Sequence, residues 1–84
     1  MAKLKKKIHI CYFAVLREER GFAQESLITE ARTARELFES LSRKCKFSLT
    51  PNALKVAVND SFKSWDTVLK SGDQVAFLPP VAGG

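Results

Sequence analysis

The sequence predicts an α+β domain, a mixed sheet crossed by one main helix, with an extended tail at its C-terminal end. Three observations carry that reading. A chain of 84 residues has room for one small core without a deep enzyme cleft. Strand-like alternation is interrupted by a single long helical repeat, from Thr33 to Cys45, and then resumes. Past Leu78 the pattern stops, because Pro79 and Pro80 cannot donate ladder hydrogen bonds. The expected division is a folded body over residues 1–78 and a tail over 79–84.

The elements follow in order. Ile8-His-Ile-Cys-Tyr-Phe13 alternates and is rich in β-formers, so it reads as a first strand with Ile8, Ile10 and Tyr12 on one face and His9, Cys11 and Phe13 on the other. Val15 to Arg20 reads as a helical turn that Gly21 ends in a left-handed conformation. Arg17, Glu18, Glu19 and Arg20 are expected only to solubilise that turn. Glu25 to Glu30 reads as a second strand, paired with the first.

The helix is the best-marked element. Thr33 and Glu36 form a Thr-x-x-Glu capping box, worth about 1 kcal/mol to the helix start. Ala34, Leu37, Phe38, Leu41 and Cys45 recur on one stripe. Glu39 and Arg43 stand four apart, the spacing of a weak ion pair, and Lys44 and Lys46 suit the negative end of the helix dipole. Phe47 to Ala53 reads as a loop, Leu54 to Val58 as a third strand, and Asn59-Asp60 as a turn into Ser61–Trp65. Asp66 to Ser71 is expected to make one helical turn capped by Asp66, and Gly72-Asp73 turns the chain into a final strand, Gln74 to Leu78.

Composition excludes several functions. The net charge of +5 rests largely on Lys3, Lys5, Lys6 and Lys7, without which ten cations face nine acids. That run lacks the arginines and interleaved aromatics of a nucleic-acid arm, so no nucleic-acid partner is expected. Cys11 and Cys45 match no metal or disulfide spacing, and His9 has no ligand partner nearby, so no metal site is expected. No apolar run approaches the roughly 20 residues that span a bilayer. A cytoplasmic protein with reduced thiols and no membrane association is the expectation.

The tail itself points to chemistry. From Pro79 to Gly84 it carries no charged side chain, and six extended residues reach roughly 20 Å. Gly83 and Gly84 can pass a channel too narrow for a Cβ. The one ionisable group at its tip is the α-carboxylate of Gly84, an anion at neutral pH. Activated as an anhydride with a nucleotide phosphate, that carboxylate would become an acyl donor. A bare Gly-Gly end is more often a frayed terminus; what precedes it here reverses that weighting.

The run Val75-Ala-Phe-Leu-Pro-Pro-Val-Ala-Gly-Gly84, preceded by Val58-Asn-Asp60 and Ser71-Gly-Asp73, resembles the small, sulfur-carrying subunit of molybdopterin synthase. Relatives of that family are the thiamine-pathway sulfur carrier and, more distantly, ubiquitin. The resemblance is close over about the last thirty residues, looser from Phe13 to Gly21, and unspecific from Phe22 to Ala53. It implies a β-grasp fold with the final strand beside the first. It also implies an adenylyltransferase partner, similar to ubiquitin-activating enzymes, that uses ATP to adenylate Gly84, after which a sulfur donor leaves a C-terminal thiocarboxylate. Pro79, Pro80, Val81, Ala82 and Gly83 would be threaded into partner sites. The large synthase subunit, in a heterotetramer of two small and two large chains, would receive the sulfur for cyclic pyranopterin monophosphate. No cofactor would be bound and no catalysis would come from this chain alone.

Strand parity adds a docking surface. If Val75 and Phe77 face the helix, Leu78 faces the uncovered side of the sheet, where Phe13 and Phe62 also fall. Such a patch marks protein association, unless Phe62 turns into the core through a bulge. In the family these positions match the apolar surface that meets the large subunit and the activating enzyme. Two other functions share the Gly-Gly end: a sulfur carrier for thiamine or tRNA thiolation, and a ubiquitin-like modifier of protein lysines.

Overall fold

The first and last strands lie side by side, and the rest of the chain is arranged about that pair. The computed structural model describes residues 5–79. Its elements are β1 (Lys6–Tyr12), α1 (Val15–Arg20), β2 (Gln24–Thr29), α2 (Ala34–Cys45), a 3-10 turn (Pro51–Ala53), β3 (Lys55–Val58), β4 (Ser61–Lys63) and β5 (Gln74–Leu78). The sheet order is β2-β1-β5-β3-β4. β1 and β5 pair in parallel, with Ile10 beside Val75 and Tyr12 beside Phe77, and the other three pairings are antiparallel. The expected α+β arrangement, one main helix over a mixed sheet, is what forms.

One face of the sheet is dry. Ile8, Ile10 and Tyr12 of β1, Val56 and Val58 of β3, and Val75 and Phe77 of β5 are buried against Ala34, Leu37, Phe38 and Leu41 of α2. Aromatic rings close the centre: Phe38 meets Phe77 edge-on at 5.1 Å between centroids, and Trp65 stacks on Phe77 at 5.8 Å with 9° between planes. Such contacts add to the area buried. Cys45 lies partly buried against this core, as its place on the stripe requires.

Turns are built from the expected residues. Gly21 ends α1 at φ 96°, Gly72 stands at φ 92°, and Asn59 and Asp60 carry the β3–β4 hairpin at φ 53° and 70°. Two consecutive left-handed residues give the turn whose twist matches its strands.

Four expectations are corrected. Asp66 to Ser71 makes no helical turn; the segment runs along the start of α2, where Trp65 and Thr67 carbonyls accept from Arg35 and Ala34 N–H and Val68 bridges Thr33. The open N-terminus of α2 needs those acceptors more than the segment needs a turn of its own. Asp66 therefore caps nothing; its own N–H donates to Ser64 Oγ in a local turn. Thr33 Oγ1 accepts from Glu36 N at 3.2 Å as the capping box demands, but the Glu36 carboxylate accepts from Arg32 N, one residue earlier than the standard box. Glu39 and Arg43 make no ion pair among the described residues; the two found are Arg20–Glu25 and Arg35–Asp66. Within the Phe47–Ala53 loop, Pro51 opens a 3-10 turn, since its fixed φ suits a first helical position.

The charges of α1 do more than solubilise. Arg20 Nε and Nη2 donate to the two oxygens of Glu25 at 2.8 and 2.9 Å, and Tyr12 Oη donates to the same carboxylate. Glu19 Oε1 accepts from Ser48 N. Burial pushes the Glu25 carboxyl up, but the hydrogen bonds from Arg20 and Tyr12 outweigh it and hold the group below its ordinary value. Burial, and then the Glu25 carboxylate, push the Tyr12 phenol well above its usual range. A folded-state carboxyl pKa below the unfolded one contributes stability that is complete above the unfolded value and fades as pH falls through the folded one. Glu25→Gln is therefore expected to cost about 1–2 kcal/mol at neutral pH. In urea unfolding its deficit against the parent should shrink as pH falls through the lowered folded-state value and the parent carboxylate becomes protonated as well.

Candidate functional site

The face of the sheet away from α2 is uncovered, and strand register places its residues in rows. Cys11, Ala76, Ala57 and Phe62 stand opposite one another across β1, β5, β3 and β4. One step towards the C-terminal end of β5, Leu78 stands opposite Lys55, and Phe13 follows the end of β1. The middle of the row is made of small side chains, so the floor is shallow. Large apolar groups stand at its sides.

Each of the three expected docking residues reaches this surface. Phe62 is 69% exposed and Phe13 45% exposed, while Leu78 is half-buried. Phe62 does not turn inward; it pairs regularly with Ala57, and no bulge rotates it. Phe13 is presented by a bend of the backbone, since Ala14 adopts φ 52° and ψ −126° as the chain leaves β1 for α1. For a residue with a Cβ that conformation costs of order 1–3 kcal/mol.

Pro79, half-buried, continues from Leu78 at the root of the tail. A groove lined by Leu54, Lys55, Phe62, Leu78 and Pro79 leads from the edge of the sheet to that root. Pro80, Val81, Ala82, Gly83 and Gly84 lie outside the described residues. Sequence reading placed Cys11 on the same side as Phe13 but missed Lys55 and Ala57, although parity through β3 was available to find them. Lys55 puts a cation beside Leu78, so an occupant of this face meets an apolar centre with one positive charge at its rim.

Among the described residues, His9, Cys11 and Ser26 of this face line a depression of their own. No group of three or more His, Cys, Asp and Glu side chains there could hold a metal ion. His9 lies on the same face towards the other end of β1, its Nδ1 hydrogen-bonded to Ser26 Oγ at 2.5 Å. Cys11 and Cys45 are free thiols. Among the described residues no helix is long and apolar enough to cross a membrane.

Comparison with known proteins identifies the family. A molybdopterin synthase sulfur carrier subunit from Haemophilus influenzae is 32% identical over 80 residues, 92% of this chain and 99% of that one. The corresponding subunit from Escherichia coli K12 is 34% identical over the same shares. Among solved structures, a protein described as a putative molybdopterin converting factor subunit 1, from Pyrococcus furiosus, is 31% identical. It superposes with a TM-score of 0.75 over 90% of this chain and 99% of its own. A complex of subunits 1 and 2 of molybdopterin-converting factor from Helicobacter pylori contains a chain 28% identical, with a TM-score of 0.63 over 93% of this chain and 99% of that one. Small archaeal modifier protein 1 of Methanosarcina acetivorans, 22% identical with a TM-score of 0.76 over 96% and 99%, shares the fold. These ubiquitin-like neighbours make the architecture a β-grasp, and with residues 10–84 matching the family model, the chain belongs to the ThiS family.

Proposed function

We propose that this chain is the sulfur-carrier subunit of a molybdopterin synthase, with the Gly84 carboxyl as its reactive group. The observation that carries the reading is the 32–34% identity to two such subunits over 92% of the chain, beside a family match over residues 10–84 that includes the Gly-Gly end. In the first step an oxygen of the Gly84 carboxylate attacks the α-phosphorus of ATP on an adenylyltransferase partner, and pyrophosphate leaves. Hydrosulfide released by a sulfur donor then attacks the acyl carbon, AMP leaves and the thiol proton is lost, so the chain ends in a thiocarboxylate. Tethered sulfur reaches a high effective concentration when the tail enters a partner's site. There it passes to cyclic pyranopterin monophosphate, and two transfers build the dithiolene.

In this scheme the folded body docks and the partners supply acid–base groups and phosphate sites. The Phe13, Phe62 and Leu78 surface meets the larger synthase subunit, in a heterotetramer of two chains of each kind. The same surface serves the activating enzyme, so the two partners take turns. The H. pylori neighbour, a complex of subunits 1 and 2 of molybdopterin-converting factor, supports a second subunit as partner. ATP belongs to the activating partner, and this chain binds no cofactor of its own. A carrier for thiamine or tRNA thiolation would use the same terminus. The likeness to an archaeal modifier is one of fold.

Intact mass spectrometry of the protein from cells is expected to show a fraction in which one terminal oxygen is replaced by sulfur; isopeptide-linked adducts in its place would point to a modifier. Removing Gly84 is expected to abolish sulfur transfer while leaving the unfolding midpoint unchanged, and a truncated chain that still restores cofactor synthesis in deficient cells would overturn the proposal. Leu78→Lys and Phe62→Asp each bring an unpaired charge to an apolar interface, a cost of several kcal/mol. Calorimetry should therefore show affinity for the large subunit falling by about 100-fold or more.

A further inference from the structure

The pole of the sheet opposite the tail carries a second surface. β1 and β5 are parallel, so their starts share one end of the molecule and their C-terminal ends the other. The seven residues of β1 separate those ends by about 20 Å. At the starting end lies a groove with Lys5, Lys6, Arg32 and Lys70 in its lining, against a single carboxylate, Glu30. Its floor is apolar: Val68 is 57% exposed and Leu69 beneath it is buried.

The walls are fixed by the backbone. Leu69 N donates to Arg32 O at 2.8 Å, Gly72 N to Lys7 O at 2.8 Å, and Lys6 Nζ to Ala31 O at 2.9 Å. Three separate segments are thereby locked around one depression, with little ordering entropy left for an occupant to overcome. The nearby carboxylates of Glu36 and Asp73 accept from backbone N–H groups of the groove walls, Arg32 N and Lys70 N. Part of the excess of cations in the chain is thus held in a pre-formed apolar depression.

We infer that this groove is a docking site for an acidic protein segment that carries an apolar anchor side chain, and that it is used while the opposite pole is engaged elsewhere. Charge complementarity selects an acidic occupant. The exposed Val68 over an apolar floor selects one with a hydrophobic residue, since a nucleic-acid backbone would leave that floor uncovered. The groove lacks an aromatic side chain on which a base could stack.

The test uses the full-length, 15N-labelled chain titrated with a synthetic hexapeptide of four glutamates around two central leucines, at low salt. Amide shifts are expected to move at Arg32, Val68, Lys70 and Ser71 and to stay fixed at Phe62 and Leu78. The double variant Arg32→Glu/Lys70→Glu should weaken binding by about tenfold or more, and Val68→Asp should remove it. Both change exposed side chains, and an unperturbed spectrum elsewhere verifies that they fold. A peptide with serines for leucines should bind at least about tenfold more weakly. The inference is overturned if the acidic peptide moves none of these amides. It fails equally if the serine peptide binds as well, or if a 20-nucleotide single strand or phosphatidylserine vesicles displace the peptide more effectively than it competes with itself. Binding that appears only when residues 1–4 are removed would also overturn it, since the chain would then cover its own groove.

Discussion

Parallel pairing of β1 with β5 is the constraint on which the molecule depends. Ile10 beside Val75 and Tyr12 beside Phe77 bring residues more than sixty positions apart into one buried layer. Parallel pairs sit naturally at the centre of a sheet, and here β2 and β3 flank them on both sides. Once the pair is set, α2 has a surface on which to lay its apolar stripe, and Phe38 and Trp65 close over Phe77. Because side chains alternate along β5, burial of Val75 and Phe77 turns Ala76 and Leu78 to the other face. The docking surface is thus a by-product of core packing. Neither face could be altered by a register slip without exchanging its residues with the other.

Much of this was legible in the sequence because the signals were local. Thr33 and Glu36 marked the helix start, Gly21 ended the first helix, and Asn59-Asp60 marked a hairpin, each through the conformation that its own side chain permits. Parity along β5 placed Leu78 correctly, and extension of the same rule to β3 would have placed Lys55 beside it. The elements that escaped depend on partners far along the chain. The segment after Trp65 looked like a helical turn by composition, yet its carbonyls serve the N–H groups of Ala34 and Arg35, some thirty positions earlier. Arg20 looked like solvated charge because no short-range rule pairs a helix end with a carboxylate on the following strand. The proposed reactive end, which lies outside the described residues, was read from residue types alone: two glycines and an uncharged run.

The two poles of the sheet differ in character. At one, strain at Ala14 and the exposed rings of Phe13 and Phe62 present apolar surface beside the root of the tail. At the other, lysines and Arg32 surround a depression held by backbone hydrogen bonds. Between them lies a rigid sheet whose central network, Tyr12–Glu25–Arg20, ties the first helix to the first two strands. A body of this kind can transmit position without changing shape.

Placing the last strand between β1 and β3 also has a consequence for biosynthesis. Until Gln74–Leu78 has emerged from the ribosome, β1 and β3 have no neighbour in common and the sheet falls into two halves that cannot enclose a core. Long-range pairing of this sort forms late. A nascent or prematurely terminated chain lacking those five residues would expose its interior to chaperones and proteases before any partner could recognise it. Topology therefore acts as an inspection step, admitting to the cell's pool of folded molecules only those whose synthesis has reached the base of the tail.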